Sequence, residues 1–324
     1  MTALATTPAE IARALPEADP ARLRAASIAV DERPIAYALG SGESDEVALH
    51  AGIKPLIRQV LPPEQVSSTR ARFEALGLSV AEAAHRLSQP STAGRVLFVG
   101  RDPARVRAAV ACELAPDHDL ALGQLLGYPR CCVEAYLEIP PPRRNAVVHQ
   151  RAFAATRGTF AARLNTLDLA VFHHVSWLPC SFSCPLSLSF ADAVVRHIAE
   201  RHGQLLGGRS SRAGATCPVG CRHQRFVAAI DEALSAHRLM LHEEVQVSIR
   251  GRFDGERVFV ERAWPTARDR HPDSTPVSGP ARDAVVKITA IVSAAQWVSL
   301  QDGWVFIDDR EVLRVIDGLL LPFG

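Results

Sequence analysis

Apolar residues recur at helical spacing over residues 8–26 and 63–88, and in the second stretch Ser79 stands as a cap before Val80-Ala81-Glu82-Ala83-Ala84. Between them, Ile35-Ala36-Tyr37-Ala38-Leu39 followed by Gly40-Ser41-Gly42 predicts a strand and a turn. The run Arg95-Val96-Leu97-Phe98-Val99-Gly100 has the continuous apolar character of a buried strand, and Asp102-Pro103 behind it opens a helix through Cys112. From about 117 to 240 the period stays helical, interrupted by Pro140-Pro141-Pro142 and by cysteine-bearing turns. Beyond 240 it changes to two. Val245, Val247 and Ile249 alternate with polar residues, Asp254-Gly255 supplies a turn, and Val258 and Val260 alternate back, which predicts a β-hairpin. A Pro-rich loop from Pro265 to Pro280 precedes a helix or strand near 283–295. A second hairpin, Trp297-Val298-Ser299-Leu300 with Trp304-Val305-Phe306-Ile307, then folds around Gln301-Asp302-Gly303.

These periods predict an α/β to α+β fold in three parts: an α/β N-terminal region over 1–116, a helical cysteine-rich centre over 117–240, and a small β-rich α+β unit over 241–324. No internal repeat of fixed period occurs.

Composition narrows the classes of function. The chain has 324 residues, 48% of them hydrophobic, enough for one large core or two modest ones. With 36 basic residues against 35 acidic, no global field draws the chain to nucleic acid or an anionic membrane, although local basic patches stay open. Only Lys54 and Lys287 are lysines, an arginine bias that reads as genome composition. The N-terminus lacks the basic start and apolar core of a secretory signal, and no stretch approaches the roughly 18 apolar residues that span a bilayer. A cytoplasmic, reducing location is therefore expected. Seven cysteines there are better read as metal ligands or reactive thiols than as a disulfide frame.

Six of the seven fall in pairs: Cys131-Cys132, Cys180 with Cys184, and Cys217 with Cys221. Pro129, Pro185 and Pro218 mark a helix start beside each pair. A helix N-terminus offers unpaired N–H groups and the positive end of the dipole, which favours the thiolate, the form that binds metal. The spacings are not those of a zinc ribbon, and Cys-Pro at 184–185 and 217–218 also ends bacterial ferredoxin cluster runs. An iron–sulfur cluster is the leading expectation, with a zinc or copper ion as alternatives. Cys112, on an apolar helix face, reads as a core residue. His173 and His174 precede the Cys180 turn and are candidates for a ligand or for acid/base work, and Glu134 follows the dyad on its helix as a further catalytic candidate.

The strings Leu125-Leu126-Gly127-Tyr128-Pro129-Arg130-Cys131-Cys132 and Trp177-Leu178-Pro179-Cys180-Ser181-Phe182-Ser183-Cys184 resemble a family of archaeal and bacterial proteins of unknown function carrying LGYP-x-CC and H-x-P-C-x3-C motifs. The match covers roughly residues 120–200. Trp177 stands where the family has histidine, with His173 and His174 just upstream. The resemblance implies a joint role for Cys131, Cys132, Cys180 and Cys184. The expected function is a cysteine-ligated metalloprotein: a metal-dependent enzyme of redox or small-molecule modification, or else a structural zinc protein that binds a partner, or a metal-free thiol redox protein.

Overall fold

The computed structural model describes residues 4–31, 41–84, 94–115, 118–140, 144–166, 173–205, 234–265 and 279–323. Its elements in chain order are β1(Leu4–Ala5), α1(Pro8–Ala14), α2(Pro20–Asp31), α3(Ser41–His50), β2(Leu56–Leu61), α4(Pro63–Ala75), β3(Ser79–Ala84), β4(Arg95–Gly100) and α5(Pro103–Leu114). The centre holds α6(Asp119–Leu125), α7(Arg130–Leu137), α8(Arg144–Ala155), a 3-10 turn at Ala162–Leu164 and α9(Pro185–Leu205). The last part holds β5(His237–His242), β6(Val245–Phe253), β7(Arg257–Pro265), α10(Pro280–Val292), β8(Trp297–Gln301), β9(Trp304–Ile307), β10(Arg310–Val315) and β11(Leu319–Leu321). The class is mixed α/β and α+β, as the periods predict.

A small sheet of order β2-β4-β3 organises the first part. Its centre, β4, is buried on both faces, which is why its sequence is apolar without alternation. Val96 and Phe98 pack with Val106, Ala109 and Cys112 of α5, while Leu97 and Val99 pack with Val66 and Phe73 of α4. The side chain of Asp102 accepts the Ala104 N–H at 2.8 Å and starts α5 where the sequence places it.

Two expectations change. The helix predicted over 63–88 ends at Ala75, because Gly77 turns the chain with φ +73°, and Ser79–Ala84 then pairs antiparallel with the second edge of β4. The strand at Arg95–Gly100 and the helix behind it form as read, and both partners of β4 are antiparallel. From Ser41 onward the predicted turn is helix α3; Ile35–Leu39 and most of the Pro265–Pro280 loop lie outside the described residues.

The second sheet has eight strands in the order β1-β10-β9-β8-β7-β6-β5-β11. Both hairpins form as read, with Val258 opposite Val298 joining one to the other. Ala284, Val285, Ile288 and Val292 of α10 cover one face, together with Ile11 of α1 and Leu15 just behind it. Residues 4–31 therefore belong with this sheet rather than with the rest of 1–116: β1 adds to β10 in parallel, and α1 and α2 pack on α10. Among the described residues, no helix is long and apolar enough to cross a membrane.

Candidate metal centre

Two arms bring the cysteines together. The first begins where α6 ends. Tyr128 N–H returns to the Gly123 carbonyl at 2.9 Å and Gly127 N–H to that of Gln124 at 3.0 Å, a closing pattern that needs Gly127 at φ +81°. A Cβ on Gly127 would also come within 2.8 Å of Pro55. Pro129 caps α7, its carbonyl accepting from Cys132 and Val133, so Cys131 and Cys132 occupy the first helical turn. A Cβ on Gly123 would meet Val133 at 2.7 Å, so this glycine lets α7 lie tight against α6.

The second arm is the loop 178–184. Phe182 pins it: its N–H donates to Thr156 Oγ1 at 2.9 Å, its carbonyl accepts from Ala161 N–H at 2.9 Å, and its buried ring meets Phe323 edge-on at 5.0 Å. The carbonyl of Cys184 accepts the Leu188 N–H and so begins α9, which puts Cys184 at a helix start and Cys180 on the turn before it.

The four ligand sulfurs of Cys131, Cys132, Cys180 and Cys184 all lie within 4.8 Å of one another, an arrangement compatible with metal binding. Cys132 Sγ is 3.8 Å from Cys184 Sγ and 4.0 Å from Cys131 Sγ, and Cys131 Sγ is 3.9 Å from Cys184 Sγ. Cys132 and Cys184 are buried among Leu164, Trp177, Phe182 and Leu321, whereas Cys131 and Cys180 are half-buried at the rim. Cys180 N–H points at Cys132 Sγ from 3.4 Å. Trp177 Nε1–H donates to Ser187 Oγ at 3.0 Å, and that hydroxyl lies 3.3 Å from Cys132 Sγ. Trp177 thus helps to position a hydroxyl that lies against the sulfur group.

The four thiols compete for negative charge. The hydrogen bond from Cys132, aided by Ser187 and opposed by burial, holds the Cys184 thiol down at about 4. Burial, then repulsion from Cys184, pushes Cys180 up to about 12. Cys132 is driven up by its bond to Cys184 and by burial. Among Cys132, Cys180 and Cys184 the negative charge therefore settles on Cys184, and a cation in the middle of the cluster would favour the ionised form of the other two as well.

The other sequence candidates that are described, His173, His174 and Glu134, are not part of the sulfur group. His173 and His174 are buried, and burial with the nearby Arg163 and His173 holds His174 down at about 4, so it is neutral at ordinary pH. Glu134 is on the outer side of α7, where it accepts from Arg130 at 2.6 Å. Among the described residues, the ligand group contains no histidine and no carboxylate. Cys112 is in the core beside β4, and Cys217 and Cys221 lie outside the described residues.

Sequence reasoning missed Lys54. Its side chain is fully buried, and Nζ bonds Asp45 Oδ1 and Ser176 Oγ at 2.6 Å each while lying 4.9 Å from the centre of the Tyr128 ring. Tyr128 in turn packs on Trp177 with ring centres 5.0 Å apart. One cation thus holds both arms, just ahead of Cys131 on one and Cys180 on the other. Its signal in the sequence is a lysine kept in a chain that otherwise prefers arginine.

Comparisons of the chain with protein-family models, with curated proteins and with solved structures found no match.

Proposed function

We propose that Cys131, Cys132, Cys180 and Cys184 hold a single zinc ion, and that the ion is structural, fixing the helical centre against the end of the eight-stranded sheet. The observation that carries this reading is the sulfur spacing. A tetrahedron with metal–sulfur bonds of about 2.3 Å has edges of about 3.8 Å, and the three sulfur pairs among Cys131, Cys132 and Cys184 stand at 3.8–4.0 Å. An iron–sulfur cluster divides its thiolates among several irons, which drives some pairs wider than one shared ion does; the 4.8 Å ceiling favours the single ion. Four protein thiolates also complete the tetrahedron and leave no position for water or substrate, the mark of a structural rather than a catalytic zinc. The resemblance to the LGYP-x-CC family supports the same four residues acting together. Leu319 and Leu321 of β11 and Met240 of β5 pack in the same apolar cluster as Cys132 and Cys184, so an ion there would fasten the two parts to one another.

The test is a metal assay and an absorption spectrum on one anaerobically purified sample. The reading predicts one zinc per chain and a colourless protein. Iron with labile sulfide would overturn it in favour of a cluster enzyme.

A metal-free thiol couple is the second reading, favoured by the low Cys184 thiol facing buried Cys132 at 3.8 Å. It predicts metal-free protein as purified and a Cys132–Cys184 disulfide on mild oxidation.

A further inference from the structure

The eight-stranded sheet has a second face, and the described residues cover only part of it. Met240, Leu319 and Leu321 on β5 and β11 meet the cysteine region there. From β6 to β10 the same face carries aromatic rings paired with arginines. The registers fix which residues share it: Arg252 is opposite Phe259, Phe259 is opposite Trp297, and Arg314 is opposite Trp304. Val258, Val298 and Val305, one position along, point to the helices instead.

The arginines stand over the rings. Arg252 lies 4.5 Å from the Phe259 centroid, Arg257 5.0 Å from that of Trp297, and Arg314 5.7 Å from that of Trp304. Arg262 over Trp264, at 5.5 Å, extends the row toward the cysteine end. These rings are half-buried rather than covered, and Arg252, Arg262 and Arg314 are exposed. Trp264, Trp297 and Trp304 are three of the four tryptophans of the chain. Glu311, opposite Phe306, is the acid the register places on this face, while Asp254 and Glu261 bond Arg257 and Arg250 at its margin.

We propose that this face binds single-stranded nucleic acid, with bases stacking on Phe259, Trp297 and Trp304 and phosphates on Arg252, Arg257 and Arg314. Stacking on a flat aromatic face and cation pairing along a backbone are the two elements of single-strand binding, and a sheet supplies both at once. A duplex hides its bases, so it gains only the phosphate contacts. The near-zero net charge of the chain does not oppose this, because the arginines are concentrated locally. The assignment is independent of the metal reading.

The experiment titrates the full chain, as purified, into fluorescein-labelled U12 RNA, dT12 DNA and a 12-base-pair duplex, following anisotropy and tryptophan emission together. Saturable binding of either single strand, with quenched tryptophan emission and affinity that falls as salt rises, is the expected result. Trp297→Ala and Trp304→Ala should each weaken it about 10-fold, and Arg252→Glu should weaken it further at low salt, each variant first shown to melt as the parent does. Absence of binding up to about 100 µM protein, the weak end of non-specific affinity, would overturn the proposal. So would duplex binding as tight as single-strand binding, or affinity unchanged in the tryptophan variants.

Discussion

At the scale of single residues, the cysteine cluster is governed by which sulfurs are charged. Cys184 is ionised at neutral pH, whereas Cys132 and Cys180, pushed up by Cys184 and by burial, keep their protons. Loading an ion on all four therefore expels at least two protons near pH 7, and falling pH opposes it because protons compete for the same sulfurs. The zinc affinity should rise at least about 100-fold per pH unit between pH 6.5 and 7.5; competition with a chromophoric chelator measures this, and a slope of one proton or fewer would contradict it. Ser187→Ala removes the hydroxyl at Cys132 while leaving every ligand, and should weaken zinc about 10- to 100-fold with the far-ultraviolet dichroism unchanged. The grouping of the four cysteines was legible in the sequence because proline and paired cysteines announce a helix start. Ser187 was not, since its role follows only once Trp177 and Cys132 meet it from different segments.

Between elements, the buried cation decides how the arms are held. Lys54 follows α3, Asp45 lies on it, Tyr128 belongs to the first cysteine arm and Ser176 stands just ahead of the second. Lys54→Met strands the Asp45 carboxylate in the interior, and denaturant unfolding should show a loss of about 3–5 kcal/mol. If the loss is below about 1 kcal/mol, the range of an exposed ion pair, the clamp contributes no more than a surface contact. Period alone located most of these elements. It failed at Ser79–Ala84, where alanines and a glutamate fit a helix as well as a strand and the open edge of β4 decided the outcome. It also gave no direction for the partners of β4, because an apolar strand followed by a helix serves parallel and antiparallel sheets alike.

Over the whole molecule, the ends of the chain meet and the middle is fastened between them. Leu4 and Ala5 pair with Arg314 and Val315, a contact across nearly the full sequence that no local pattern encodes. The cysteine region leans on β5 and β11 from the face opposite α1 and α10, so the helical centre and the sheet share one boundary. Removing the ion should loosen that boundary first: hydrogen exchange after chelation should quicken in α7, the 180–184 loop and β11, while β4 keeps its protection. Equal quickening everywhere would mean that the ion supports the fold as a whole rather than this boundary. The central claim is that four thiolates share one ion, and X-ray absorption at the metal edge tests it most directly. The account predicts a single shell of four sulfurs at about 2.3 Å; a second metal in the scattering, or nitrogen or oxygen in the shell, would contradict it.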